Sequence, residues 1–141
     1  MSPQNIAAVI GATALMGLMS ACASTTAPVS QDTVAVTVEV TYRERIALTP
    51  GHTLTVSVDD VSLADAPSVP LVKQTLPLDR GVPVKVTLQV PADQINSRHI
   101  YAARASIHDS QGRLRFVTDT RTEVLTRGAG NTVSIIMVST Q

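Results

Sequence analysis

Val34-Ala35-Val36-Thr37-Val38-Glu39-Val40-Thr41-Tyr42 carries valine at every second position and closes on a tyrosine. Val34, Val36, Val38, Val40 and Tyr42 fall on one face, and Thr37, Glu39 and Thr41 on the other. A period of two is that of a strand with one face buried. The apolar row runs on through Ile46 and Leu48, with Arg43 and Arg45 extending the polar face. Only Glu44 interrupts it, so the expected strand is long and bent near Glu44.

Downstream, Thr49-Pro50-Gly51 is a turn signal, because Pro presets φ and Gly tolerates positive φ. Leu54, Val56 and Val58 then alternate with Thr53, Thr55 and Ser57, which predicts an antiparallel hairpin with the first strand. Asp59 to Pro67 reads as a structured loop, since Asp and Ser side chains bond nearby backbone. Val69 to Leu76 is a weaker strand whose Pro70 suits a sheet edge. Asp79-Arg80-Gly81 turns the chain, and Val82, Val84, Val86, Leu88 and Val90 form the next row. Pro91 to Ile95 fits one helical turn. Tyr101, Ala103, Ala105 and Ile107 point inward, and Asp109 to Gly112 is a hairpin loop before Leu114 and Phe116. Thr122 to Gly130 is a loop or short edge strand, and Val133, Ile135 and Met137 close the domain. About seven strands with turn signals every 8 to 12 residues predict an all-β fold. The expected form is a single antiparallel β-sandwich, or a partly open barrel, over residues 34–141.

Upstream of Val34 the alternation is absent. Ala23 to Thr33 is small and polar, contains Pro28, and predicts a flexible linker over 22–33. Before it, Ile6 to Met19 is apolar and contains no charged residue. It has about the length of a signal-peptide core and falls short of the roughly 20 residues that span a bilayer. Leu18-Met19-Ser20-Ala21-Cys22 then reads as a lipobox. Residues 1–21 are the expected leader, and Cys22 the expected site of lipidation and new N-terminus. Met1 to Asn5 lacks the Lys or Arg usual in a leader. Alanine at 23, where enteric sorting would need aspartate for inner-membrane retention, predicts the outer membrane, with the domain facing the periplasm.

The composition agrees with a lone lipidated cysteine. Cys22 is the single cysteine of 141 residues, so no internal disulfide forms. Eleven basic and eleven acidic residues balance, leaving no basic field for nucleic acid. Tyr42, Tyr101 and Phe116 are the only aromatics.

Motifs for chemistry are sparse. His52, His99 and His108 have no metal-ligand spacing and read as exposed polar residues. Asp59, Asp60 and Asp65 form an acidic cluster without an EF-hand pattern, and read as turn-forming carboxylates. There is no G-x-S-x-G elbow and no Gly-rich phosphate loop. Arg113, Arg115 and Arg121 read as a solvated face. No enzyme, cofactor, metal or small-molecule substrate is expected.

Three stretches carry a resemblance: the strand from Val34 to Leu48 with its Pro-Gly turn, Val61-Ser62-Leu63-Ala64-Asp65-Ala66-Pro67, and Phe116-Val117-Thr118-Asp119-Thr120. Together they resemble the YbaY-type lipoproteins grouped with YscW, the type III secretion lipoprotein chaperone. The likeness covers residues 34 to 138. It implies a β-sandwich and, from its better-studied branch, a pilotin: an outer-membrane lipoprotein that binds a secretin and helps it assemble. It implies no catalytic residues. Within the matched stretches, Asp65, Pro67 and Asp119 are candidates to line a partner-binding surface. The competing role for the two aspartates is to fix the loop and the strand end by bonds to backbone.

Three functions are in contention. The first is a non-catalytic binding or pilotin-like chaperone acting on a secretin or other envelope protein. The others are an envelope-maintenance lipoprotein without a dedicated client, and a carbohydrate-binding or carbohydrate-processing protein. The lipobox carries its own test. Cys22→Ala should remove the acyl mass in intact-mass spectrometry and move the protein from the membrane to the soluble fraction; a membrane-bound variant would sink the lipidation assignment.

Overall fold

The computed structural model describes residues 31–141. The leader, Cys22 and the linker as far as residue 30 lie outside the described residues. Eight strands follow: β1 (Thr33–Tyr42), β2 (Thr53–Asp60), β3 (Val69–Pro77), β4 (Val84–Pro91), β5 (Tyr101–His108), β6 (Leu114–Val117), β7 (Thr122–Val124) and β8 (Thr132–Ser139). A single 3₁₀ turn, Ala92–Gln94, separates β4 from β5. The all-β expectation is met.

The strands form one path, β3-β2-β5-β6-β8-β1-β4, with β7 beside β5 next to β6. The two ends of the path, β3 and β4, approach each other, so the sheet curls almost into a barrel rather than separating into two sheets. One half is β4-β1-β8 and the other β3-β2-β5 with β6 and β7. Only Phe116↔Ser139 and Val117↔Val138 join β6 to β8 across the seam between them. The pairing is not wholly antiparallel either, because β1 and β8 run parallel from Thr37↔Thr132 to Tyr42↔Met137.

The expected β1–β2 hairpin does not form. β1 pairs with β4 and β8, whereas β2 pairs with β3 and β5. Alternation fixes which face a strand buries and is silent on its neighbour. The first strand is also shorter than its apolar row. It stops at Tyr42, whose hydroxyl donates to the Ile46 carbonyl at 2.8 Å and folds the chain back. Ile46 is consequently 51% exposed. Residues 43–52 then cross to the other half of the sheet. The Pro50-Gly51 turn is present there, with Gly51 at φ +97°, and a Cβ at Gly51 would lie 3.1 Å from Ser110 Cβ. His52 is buried at 8% exposure, and its Nδ1 donates to the Thr49 carbonyl at 2.7 Å. That corrects the expectation of an exposed histidine.

The inward rows fall where the alternation puts them. Val36, Val38 and Val40 face Val56, Val58 and Ile107 in a core that also takes Leu88, Ile135 and Met137. All three aromatics are buried in it. Tyr42 stacks on Phe116 with centroids 4.4 Å apart and rings inclined by 16°, across the seam. The Tyr101 hydroxyl accepts from Asn96 N at 2.8 Å and donates to the Gln94 carbonyl at 3.2 Å, tying the β4–β5 connection to the core. The outer faces carry cross-strand hydroxyl pairs, Thr37–Thr87 and Thr55–Thr75, beside the exposed Ile136 and Val138 of β8.

Because Phe116 supplies both the stack and half of the seam, Phe116→Ala should cost about 3–5 kcal/mol. Urea unfolding of the acyl-free protein measures it. A double cycle with Tyr42→Leu should return a coupling of about 0.5–1.5 kcal/mol; zero coupling would show the stack to be incidental.

Candidate functional site

β2 ends on two adjacent carboxylates, and strand alternation sends them to opposite faces. Asp60 accepts from Ser62 N at 2.9 Å, from the Ser62 hydroxyl, and from His99 Nδ1 at 2.6 Å. The Ser62 oxygen in turn accepts from Ile100 N at 2.9 Å, and Val61 N donates to the Ile100 carbonyl at 2.8 Å. The Thr126 hydroxyl holds the His99 carbonyl at 2.7 Å. Burial pushes the Asp60 carboxyl up, but the two bonds from Ser62 and the bond and charge of His99 together hold it below the ordinary carboxylate value. Ser62, His99 and Asp60 have the composition of a hydrolytic triad without its geometry. Serine and histidine both donate to the same carboxylate, so no base faces the hydroxyl.

Asp59 turns to the outer face beside Thr55 and Ser57, yet its side chain is only 9% exposed. The Ser68 hydroxyl donates to its Oδ2 at 3.2 Å, and Arg104 lies 3.7 Å from the same oxygen. Arg104 also donates to Ser68 Oγ at 3.3 Å. Oδ1 of Asp59 is buried with no hydrogen-bond partner among the described residues. The paired aspartates thus clamp both ends of the loop 61–68. Asp60 secures its start through Ser62, and Asp59 secures its end through Ser68. The expected turn-forming role of the cluster holds for these two.

Between the clamps the loop stands in solvent. Leu63 is 73% exposed, and Ala64, Asp65, Ala66 and Pro67 are exposed beside it. The Asp65 side chain makes no hydrogen bond among the described residues, so fixing the loop falls to its neighbours. Ser68 also lines a groove of about 390 Å³ on the outer face of the sheet, over β2. Pro70 and Lys73 contribute from the β3 side, and Arg104, Val117 and Thr118 from the other.

The matched stretch from Phe116 to Thr120 is equally structural at its centre. Thr118 Oγ1 accepts from Ala105 N at 2.8 Å and donates to the Ala105 carbonyl at 3.0 Å. Its side chain fills the ladder where β6 ends and lets the chain step on to β7. Asp119 follows, exposed, and accepts from the Thr120 hydroxyl at 2.9 Å. It borders a smaller hollow of about 200 Å³ that shares Arg104 and Thr118 with the groove. The structure therefore brings Asp119 to the groove margin and leaves Asp65 and Pro67 on the loop, which adjoins the groove through Ser68. Among the described residues no group of three His, Cys, Asp or Glu side chains is placed to hold a metal ion.

Comparison with known proteins matches this domain as a whole. Residues 31–137 match the model of the type III secretion system lipoprotein chaperone YscW. The chain belongs to the YscW family. Within reach of that family, it is 35% identical over 105 residues to the uncharacterised lipoprotein YbaY of Escherichia coli strain K12, covering 72% of this chain and 53% of YbaY. The chain thus spans about half the length of that curated relative. It is also similar to the solved structure of an alternative pilotin from the type II secretion system of Vibrio cholerae. The TM-score is 0.75 at 36% identity, covering 78% of this chain and 99% of the pilotin. The YscW match contains both clamps, the groove and Thr118.

A carboxylate held below its ordinary pKa contributes stability that is complete above the unfolded value and is lost as pH falls through the folded one. Acidification from about pH 5 to below the ordinary carboxylate value near 3.9 should therefore weaken the Asp60 clamp. Asp60→Asn should lower stability at neutral pH and flatten that acid limb. Urea midpoints across the range measure it, and an acid limb parallel to that of the parent would sink the assignment.

Proposed function

We propose that this YscW-family protein is a non-catalytic, pilotin-like lipoprotein chaperone. It is anchored by acylated Cys22 in the outer membrane and faces the periplasm. Its client is a secretin or another envelope protein. The observation that carries the proposal is the likeness to the alternative pilotin over 99% of that chain at a TM-score of 0.75, in a domain whose Ser62–His99–Asp60 grouping is built as a clamp. The burial of all three aromatics weighs against carbohydrate binding, which favours exposed rings for stacking.

The client surface we propose is the outer-face groove, with Asp119 at its margin and Asp65 and Pro67 on the adjoining loop. A groove between sheet strands, walled by Lys73 and Arg104 and edged by Pro70 and Val117, suits an extended or helical segment of mixed character. Neither Asp65 nor Asp119 is buried, so replacing them should leave stability within about 0.5 kcal/mol of the parent.

The test is crosslinking in the native envelope followed by purification, comparing the lipidated protein with Cys22→Ala and with Asp65→Ala/Asp119→Ala. A secretin or other outer-membrane assembly protein enriched with the anchored parent, and reduced with the double variant at unchanged stability, is the expected result. If equal sampling enriches no partner with any form, the chaperone proposal yields to a maintenance role without a client.

A further inference from the structure

The strand register places the loop 61–68 at the pole where the described chain begins. Thr33↔Pro91, Asp60↔Tyr101, Asp60↔Val69 and Tyr101↔Val124 put the start of β1 and the end of β2 at one pole of the domain. The loop 61–68, the connection 92–100 and the loop 125–131 all lie there. The other hairpin and crossover turns, around Gly51, Gly81 and Gly112, lie at the opposite pole. The chain enters at the first pole, where Ala92 N donates to the Asp32 carbonyl at 2.9 Å.

Among the described residues the two most exposed large apolar side chains are Leu63 and Val69, at 73% and 63%. Both stand at this entry pole, with Ala64, Ala66 and Pro67 exposed between them. Cys22 lies eleven residues before Thr33. Even fully extended, a chain of that length spans at most about 40 Å. β1 alone, at ten residues, is about 33 Å long. The entry pole is therefore closer to the anchor along the chain than the opposite pole, which lies the length of β1 further on, and it is the pole held nearer the bilayer.

We infer that the apolar tip of the loop 61–68 is a membrane-contact element: Leu63 and the flanking Val69 rest in the headgroup–acyl boundary of the bilayer that holds the anchor, and Asp65 and Pro67 stay at headgroup level, within reach of a client in the same membrane. This rests on the lipidation of Cys22 included in the proposed function. The clamps on Asp59 and Asp60 give the loop a fixed shape, so little is lost in ordering it at the surface. The exposed charges of the same pole are mixed: Asp32, Asp65 and Asp93 against Arg98 and Arg127. They form no basic footprint for anionic lipid, so the contact is apolar and insensitive to salt.

The experiment uses the full-length lipidated protein in vesicles of phosphatidylethanolamine with a minority of phosphatidylglycerol. Acylation blocks the Cys22 thiol, so Ala66→Cys offers one thiol for a bimane label at the loop, and Gln111→Cys one at the opposite pole. Lipids carrying a nitroxide near the headgroup should quench the Ala66 label by roughly half and leave the Gln111 label bright. Adding Leu63→Glu should restore the Ala66 emission, and raised salt should not. If both labelled proteins float with the vesicles and neither is quenched, the loop faces water or a protein partner and the inference falls, while the anchor stands. If neither floats, the anchor fails and takes the inference with it.

Discussion

Two residue pairs, Phe116↔Ser139 and Val117↔Val138, hold the halves of the sheet together along one side. The Tyr42–Phe116 stack lies against this seam and reinforces it from within. By contrast β1 is matched residue for residue to β4 from Thr33 to Val40 and to β8 from Thr37 to Tyr42. Each half is therefore well made and their junction is narrow. With no tryptophan and three aromatics in the whole chain, all three are spent inside. The surface is left to hydroxyls, charges and the exposed aliphatic loop.

That loop is held by a consequence of strand geometry. Neighbouring residues on a strand point to opposite faces, so Asp59 and Asp60 reach partners that a single side could not supply. One carboxylate gathers Ser62 and His99, and the other gathers Ser68 and Arg104. A segment of small and apolar residues would otherwise collapse or fluctuate. Anchored at both ends, it can be displayed with little conformational freedom left to lose on contact.

The buried rows were legible in the sequence because alternation is local. Val36, Val38 and Val40, and likewise Tyr101, Ala103 and Ala105, lie where their spacing put them. The neighbours of β1 were not legible, since register with β4 and β8 spans long separations that leave no mark on either strand alone. Ile46 and Leu48 continue the pattern of β1, but the Tyr42 hydroxyl folds the chain away before them. Asp60 and His99 are 39 positions apart, and only the packing of β2 against β5 unites them. The Ser68 partner of Asp59 hides at the far end of its loop. Thr118 sat inside a quoted motif, yet its role in bridging β6 and β7 depends on Ala105, a residue with no polar side chain to announce it. Of the matched stretches, the residues that proved structural are those flanking Asp65 and Asp119.

The parallel pairing of β1 with β8 sets the order of events in the life of the chain. The first strand to be synthesised needs the last one beside it, so the core of the β4-β1-β8 half stays open until residues 132–139 are available. Such long-range closure is intrinsically slow, because loop entropy is lost before the contacts that reward it form. Until that final strand arrives the chain is an unclosed polypeptide, and the domain completes itself from its C-terminal end.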